Sequence, residues 1–392
     1  MEKMSVWLLL VCLLSQTPHS FSKEWSRELI KDVEFAEENV HQIFSPDAYH
    51  CQLACTQHHS CLFFSFIERN RTTDSRKFHC YLKQSKFGVP TKVTEKKGVT
   101  SGFSLSQLER TPDICLSSLY FWVDFTGADF SSLFTQDYKE CQRVCTNDPY
   151  CQFFSFLTEQ FSKPEMRNKC FLKYSWNVPI LPKIEISSEV TSRFSSRYAN
   201  KTGAFDDDAW NSDLGILEHT DFPGNDFEQV PAVSKEHCMF LCSSHPRCTY
   251  FSYATSKYET SDAWYYMRCF LKHNVDERPC VPKKELFSGM PRRLFKPTDK
   301  PQPSSWVTEE WSYNIPGADS KIIPDVSDER CKRLCTEDSD CQFFSYYGYP
   351  RDTCFLKQVI TLPLPPKVVL MDAVVSGFSL KGCDTPKPTE ST

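Results

Sequence analysis

The fold class this sequence predicts is α+β, four small tandem domains that each hold one disulfide-clamped helix against an antiparallel sheet. Three observations predict it. The cysteine word C-x3-C-x5-C, followed by C-[FY]-L-K, occurs four times: Cys51, Cys55, Cys61 and Cys80; Cys141, Cys145, Cys151 and Cys170; Cys238, Cys242, Cys248 and Cys269; Cys331, Cys335, Cys341 and Cys354. The leading cysteines of successive copies lie 90, 97 and 93 residues apart. Inside each copy a cysteine pair at helical spacing precedes aromatic segments of period two, the pattern of one helix against an antiparallel sheet.

The chain of 392 residues starts with a secretory-type leader. Lys3 precedes the apolar run Ser5 to Leu14, and small residues Ser20 and Ser22 fit a cleavage site. Residues 1–22 are therefore expected to be removed. The run is too short to span a bilayer, and no later stretch reaches the required length. Cys12 belongs to the leader, so 19 of the 20 cysteines remain in an exported product. That density fits an oxidising compartment, and the odd number leaves at least one thiol without a partner in the chain. A net charge of -5 argues against a nucleic-acid binder, which needs a basic excess.

Within the first repeat, Ser45 and Pro46 read as N-cap and first helical residue. Thr135, Ser234 and Ser327 stand in the corresponding places. Each helix should run about ten residues and stop near the third cysteine, where Asn147-Asp148-Pro149 and His245-Pro246 break it. Strands follow at 61–66, 151–156, 248–253 and 341–346, then at Cys80–Lys83, Cys170–Lys173, Cys269–Lys272 and Cys354–Lys357. The stretch between the two is much shorter in repeat four, which predicts a trimmed hairpin. A last strand closes each repeat: Ser101-Gly-Phe-Ser-Leu105 and Ser376-Gly-Phe-Ser-Leu380 match closely, while Ser192-Arg-Phe-Ser195 and Phe287-Ser-Gly289 are degraded copies.

Four cysteines per repeat allow three pairings, and spacing alone does not choose among them. The helix C-x3-C, the CxFFSF strand, the C-F-L-K strand and the SGFSL ending resemble apple domains of the PAN superfamily. Four in tandem after a leader are similar to the non-catalytic heavy chains of the plasma prekallikrein and coagulation factor XI type. The resemblance covers nearly all of residues 23–383. It implies the pairs Cys51–Cys80 with Cys55–Cys61, Cys141–Cys170 with Cys145–Cys151, Cys238–Cys269 with Cys242–Cys248, and Cys331–Cys354 with Cys335–Cys341. In the chain-entropy model one such set contributes at most roughly 6 kcal/mol to its repeat. The family usually adds a bridge between the ends of each domain. Here repeat two has only Cys115, repeat four only Cys383, and Cys280 sits in an unusual place. One interdomain bridge plus a free thiol, or a disulfide-linked homodimer, would each account for these three.

The domains so defined are 23–110, 111–199, 213–297 and 298–383, with a linker at 200–212 and a polar tail at 384–392. Catalysis finds little support. A serine recurs at Ser65, Ser155, Ser252 and Ser345, but no histidine recurs in register with it: His58, His79, His237 and His273 occupy unrelated places. A nucleophile needs such a base. The Ile-Val-Gly-Gly, Ala-Ala-His-Cys and Gly-Asp-Ser-Gly-Gly signatures of trypsin-like proteases do not occur. No metal or other cofactor is expected: C-x3-C in an exported protein reads as disulfide rather than zinc, and Asp206-Asp207-Asp208 as a solvated linker rather than a calcium site.

What remains is binding. Lys283, Lys284, Arg292, Arg293 and Lys296 form a candidate polyanion patch in repeat three, and Lys83, Lys86, Lys92, Lys96 and Lys97 a weaker one in repeat one. Asn70 and Asn200 head glycosylation sequons. The expected function is a secreted, non-enzymatic, multi-apple protein that presents surfaces to protein or glycan partners. By resemblance the partner classes are kininogen, proteases and heparin-like glycans. The alternative is the regulatory heavy chain of a kallikrein-like zymogen.

Overall fold

The computed structural model describes residues 28–71, 75–106, 115–187, 189–194, 216–260, 262–273, 280–291, 312–381 and 383. The leader 1–22, the linker 200–212, the tail 384–392 and the candidate residues Asn200, Arg292, Arg293 and Lys296 lie outside these. The described chain forms two compact units, one of residues up to Ser175 and from Leu362, the other Trp176–Thr361.

In repeat one, β1 (Ile30–Phe35), β2 (Asn39–Phe44), α1 (Ala48–Gln57), β3 (Phe63–Ile67), β4 (His79–Lys83) and β5 (Val93–Phe103) form one helix and an antiparallel sheet ordered β1-β5-β3-β4-β2. Repeat three repeats this order with β12 (Leu217–Asp221), β13 (Asp226–Pro231), α3 (Lys235–Ser244), β14 (Tyr250–Ala254), β15 (Arg268–Lys272) and β16 (Val281–Gly289). For continuity the helix of repeat two is α2 (Tyr138–Asn147) and that of repeat four α4 (Asp328–Glu337). All four helices have ten residues.

The caps correct the sequence reading in two repeats. Ser234 and Ser327 cap α3 and α4, each accepting from the backbone N–H three residues on. In repeats one and two the caps are Asp47 and Asp137 instead of Ser45 and Thr135. Each aspartate accepts the N–H of the third following residue, His50 or Glu140, at 2.8 Å. The Ser45 and Thr135 hydroxyls donate to the carbonyls of those aspartates, so they brace the turn ahead of the helix.

Repeats two and four exchange their closing strands. Repeat two supplies β6 (Leu119–Thr126), β7 (Asp129–Phe134), β8 (Phe153–Leu157), β9 (Lys169–Lys173), β10 (Glu185–Ile186) and β11 (Val190–Phe194). Repeat four supplies β17 (Tyr313–Asn314), β18 (Asp319–Ile323), β19 (Phe343–Tyr347), β20 (Thr353–Lys357) and β21 (Lys367–Phe378). One sheet is ordered β6-β21-β8-β9-β7, the other β11-β19-β20-β18. The expectation that every repeat closes on its own last strand is therefore corrected for these two. Strand length explains the choice. The eight residues of β6 pair with β21 from Lys367 to Gly377, a span that the five residues of β11 cannot cover. In repeat four the first strand is only β17, which pairs with β10, so the short β11 suffices.

Side-chain fit points the same way. Gly377 of β21 leaves room for the Phe154 ring, whose atoms would stand 3.0 Å from any added Cβ. Gly102 does the same for Phe64 in repeat one. Opposite Phe344 the short β11 places Arg193 instead of glycine.

The sheets must curl. In repeat two, β6 and β7 lie on opposite edges of five strands, which in a flat sheet would be roughly 19 Å apart. Only Gly127 and Ala128 join them, a link that reaches about 11 Å at most. Both take left-handed backbone, at φ 85° and 62°, as do Gly224-Asn225 and Gly317-Ala318 in the same corner of repeats three and four. The connection between β19 and β20 is short, as expected, and no described helix is long and apolar enough to cross a membrane.

Candidate functional site

The residues that recur in every repeat are consumed by the scaffold. Eight disulfides join the sixteen repeat cysteines within each helix-and-strand word: Cys51–Cys80, Cys55–Cys61, Cys141–Cys170, Cys145–Cys151, Cys238–Cys269, Cys242–Cys248, Cys331–Cys354 and Cys335–Cys341. A ninth joins Cys115 to Cys383 across 268 residues. Cys115 and Cys383 thus find each other because the end of repeat four lies in the sheet of repeat two. Cys280 is the one free cysteine among the described residues, and it is exposed.

The recurring serine also has a structural place. Ser65, Ser155, Ser252 and Ser345 are buried, and each meets a serine hydroxyl of the adjacent strand: Ser101 at 2.7 Å, Ser376 at 2.8 Å, Ser288 at 2.7 Å and Ser192 at 2.8 Å. Backbone N–H groups of the first strand region, Phe35, Phe125 and Phe222, donate to the first three. These pairs fill the narrow space between two strands that are covered on both faces. The partners of these serines are serine hydroxyls, backbone N–H groups and, at Ser252, the Asp221 carboxylate at 3.0 Å, so their hydroxyls serve strand packing.

The lysine of C-[FY]-L-K closes the corner of the curled sheet. Lys173 donates to Asp129 Oδ1 at 2.5 Å and to Gly127 O at 3.2 Å, and Lys272 to Asp226 Oδ1 at 2.5 Å and Gly224 O at 3.1 Å. Lys357 makes the same pair of contacts with Asp319 and with Gly317 O, the latter at 3.0 Å. In repeat one, Lys83 takes the neutral Asn39 at 2.6 Å and Glu37 O at 2.9 Å. Burial, the largest influence on both, lowers Lys83 and Lys357 below the ordinary lysine value. A charge so placed is costly unless paired, which accounts for the acidic residue opposite it in three repeats.

The histidines are scattered, as their positions in the sequence suggest. His58, at the end of α1, stacks between His41 and His59; burial, then those two neighbours, bring it down to about 3. His79 packs on Phe44 and Tyr81. His237 is buried in α3 and His273 meets Arg247 O at 2.7 Å. Among the described residues, no group of three or more histidine, cysteine or acidic side chains is placed to hold a metal ion.

The basic patches look different in place. Lys284 pairs with Glu259 at 3.4 Å, and Lys283 lies over the Tyr258 ring at 5.6 Å. In repeat one, Lys83 is buried and Lys96 pairs with Glu34, so that cluster is broken up. Asn70 is exposed in the connection between β3 and β4.

One feature departs from the scaffold logic. The first strand carries a left-handed bulge residue in three repeats: Asp32 at φ 59°, Trp122 at φ 59° and His219 at φ 49°. In repeats one and three the side chain caps the facing bulge: Asp32 Oδ1 accepts from Gly98 N at 2.7 Å, and His219 Nδ1 from Glu285 N at 3.2 Å. An indole has no acceptor for that task, and bulky residues are disfavoured at positive φ. Trp122 is nonetheless 58% exposed, next to exposed Phe121 and opposite the bulge that carries exposed Leu370 and Met371. Sequence reading missed this patch because Phe121 and Trp122 look like ordinary strand aromatics; only the bulge turns them outward.

The family models that match this sequence agree with this architecture. A PAN domain model matches residues 25–107, 116–198 and 312–383, and a second PAN domain model matches 220–272. Over 385 residues, 93% of this chain, the sequence is 26% identical to coagulation factor XI of Bos taurus. The chain spans 58% of that relative's length. Among solved structures, the two N-terminal apple domains of Toxoplasma gondii microneme protein 4 match 38% of this chain and 76% of theirs, at 19% identity and a TM-score of 0.13.

Proposed function

Since this chain belongs to the PAN domain family, as an array of four apple domains related to factor XI, we propose that it is a secreted, non-enzymatic binding protein that presents its variable surfaces to extracellular protein or glycan partners. The observation that carries this reading is Trp122. A large aromatic held in backbone that the fold prefers to give to Asp or His is a cost to stability, and such strain collects at functional sites. With Phe121, Leu370 and Met371 it makes an exposed apolar patch of the kind that anchors protein interfaces.

The test is capture of plasma proteins on the immobilised chain, identified by mass spectrometry, with Trp122→Asp alongside. Aspartate restores the cap found in repeat one. It is expected to raise the melting temperature while abolishing capture of the main partner. Equal capture by both proteins would remove the patch from the binding function. Labelling by an active-site serine probe would overturn the non-enzymatic reading itself.

Polyanion binding through Lys283, Lys284, Arg292, Arg293 and Lys296 belongs to the same proposal, as does glycosylation at Asn70 and Asn200. Converting Arg292 and Arg293 to alanine should move elution from a heparin column to lower salt; unchanged elution would dismiss the patch. A disulfide-linked homodimer is retained through Cys280 alone, because Cys115 and Cys383 bridge each other. The second reading, a zymogen's regulatory heavy chain, is favoured by the match to 58% of factor XI. Transcripts encoding a trypsin-like domain in the same frame would decide for it.

A further inference from the structure

After three of the C-[FY]-L-K strands the chain repeats a short phrase: an apolar residue, a spacer, valine or leucine, then proline. The copies are Phe87-Gly88-Val89-Pro90, Trp176-Asn177-Val178-Pro179 and Ile360-Thr361-Leu362-Pro363. The later two are folded away. Val178 packs on the core of repeat three, Trp176 Nε1 donates to Glu228 Oε1 at 2.8 Å, and Leu362 is buried with its N–H on Gln57 Oε1 at 2.8 Å. The copy in repeat one points outward. Phe87 is 78% exposed, Val89 55%, and Val93 at the start of β5 49%.

Its backbone is nevertheless fixed. Ser85 Oγ donates to Val89 O at 2.6 Å, and Gly88 turns the chain at φ 75°. The Glu37 carboxylate accepts from Thr91 N, Thr91 Oγ1 and Lys92 N at 2.5, 2.7 and 2.8 Å. The bonds from Thr91 are foremost in holding that carboxyl below the ordinary glutamate value, so its charge is engaged at the base of the turn. A pinned turn that aims apolar side chains at solvent has already met the ordering cost of a contact. Lysines flank the tip. Lys86 directly precedes Phe87, where the folded copies have Ser175 and Val359. Residues 84–97 hold four lysines, Lys86, Lys92, Lys96 and Lys97, and one acid, Glu95. Lys96 is paired with Glu34, while Lys86 and Lys92, on either side of the apolar residues, are exposed. Beside Glu37, the β1–β2 corner adds one exposed acid, Glu38.

We infer that segment 85–93 is a membrane-surface spike: Phe87 and Val89 enter the headgroup boundary of an anionic bilayer, and Lys86 and Lys92 meet its phosphates and carboxylates. Size argues for lipid over protein. Two side chains at the tip of a tight turn offer far less than the roughly 800 Å² per partner that a stable protein interface buries. A bilayer asks for no matching shape. It takes up apolar tips to a shallow depth, while lysines on flexible stems stay level with the negative headgroups. Such contact is weak and reversible, because it combines a small apolar area with a few charges. The inference stands apart from the Trp122 patch and from any disulfide.

The experiment is co-sedimentation of the full chain with vesicles of phosphatidylcholine containing about one-third phosphatidylserine, and with vesicles of phosphatidylcholine alone. Binding to the first is expected, weaker at high salt, and much less to the second. Phe87→Asp plus Val89→Asp should lower the partition at least about tenfold, through loss of both apolar side chains. Lys86→Gln and Lys92→Gln should each cost about fivefold. Circular dichroism of the double aspartate variant should be unchanged, because both side chains are exposed. Trp122→Asp should leave vesicle binding intact, which separates this result from the fate of the protein-binding patch. A photo-crosslinking phenylalanine analogue at position 87 should attach to lipid. No sedimentation with either vesicle, sedimentation indifferent to the paired aspartates, equal binding to both compositions, or an analogue that attaches to a plasma protein in place of added vesicles would each overturn the inference.

Discussion

Removing residues 367–392 should unfold repeat two and spare repeat four. The truncated chain loses β21, which lies between β6 and β8 in the middle of the repeat-two sheet, together with the Cys115–Cys383 bridge. Val368, Val374, Val375 and Phe378 leave buried positions, each worth roughly 1.5–3 kcal/mol. Their sum is comparable to the whole stability of a domain of this size. Phe378 also stacks on His50 at 5.1 Å and meets Phe125 at 5.3 Å, so repeat one loses part of its support. Hydrogen exchange reads the result. Amides of Phe153–Leu157 should lose protection, while those of Phe343–Tyr347 keep it, since β19 stays between β11 and β20. If protection vanished in repeat four and persisted in repeat two, the strand exchange would be wrong.

Acid should attack repeat three through His237. Burial holds this ring down to about 3, against an ordinary value near 6.5. Its Nδ1 accepts the Val233 N–H at 3.2 Å, a role that a protonated nitrogen cannot fill, and Phe194 and Phe240 lie beside it. The sign follows. Above pH 6.5 both folded and unfolded chains hold the ring neutral, and there is no penalty. Below it the unfolded chain takes a proton that the folded one refuses, so stability falls steadily as pH drops from 6.5 toward about 3. The ceiling is about 4–5 kcal/mol, at about 1.4 kcal/mol for each tenfold difference in proton affinity. His237→Phe keeps an aromatic ring in the pocket and gives up the bond to Val233 at every pH. Its urea midpoint should be lower than that of the parent at pH 7 and change less between pH 7 and pH 4. Parallel curves for the two proteins would exclude His237 as the acid-labile group.

Much of this fold could be read from the residues, because the repeat supplied four samples of one pattern. Cysteines four apart, aromatics two apart and serine caps at Ser234 and Ser327 each follow from local geometry. What stayed hidden is non-local. Ser376-Gly377-Phe378 and Ser192-Arg193-Phe194 both look like closing strands, and nothing in either segment says which sheet receives it. Only the length of β6 and the ring of Phe154 decide. The caps Asp47 and Asp137 were hidden by nearby serine and threonine, which compete for the same role two residues earlier. The candidate surface was the least legible. A strand tryptophan reads as core until the bulge at φ 59° is known.

The bond between Cys115 and Cys383 has a consequence for how the protein is made. Ribosomes deliver the amino end first, so β6 to β9 emerge long before the strand that completes them. Repeat two must wait, with its central gap open, until β21 of repeat four has been translated. Chaperones would meet it in that state, and gene rearrangements that detach the fourth repeat would cripple the second.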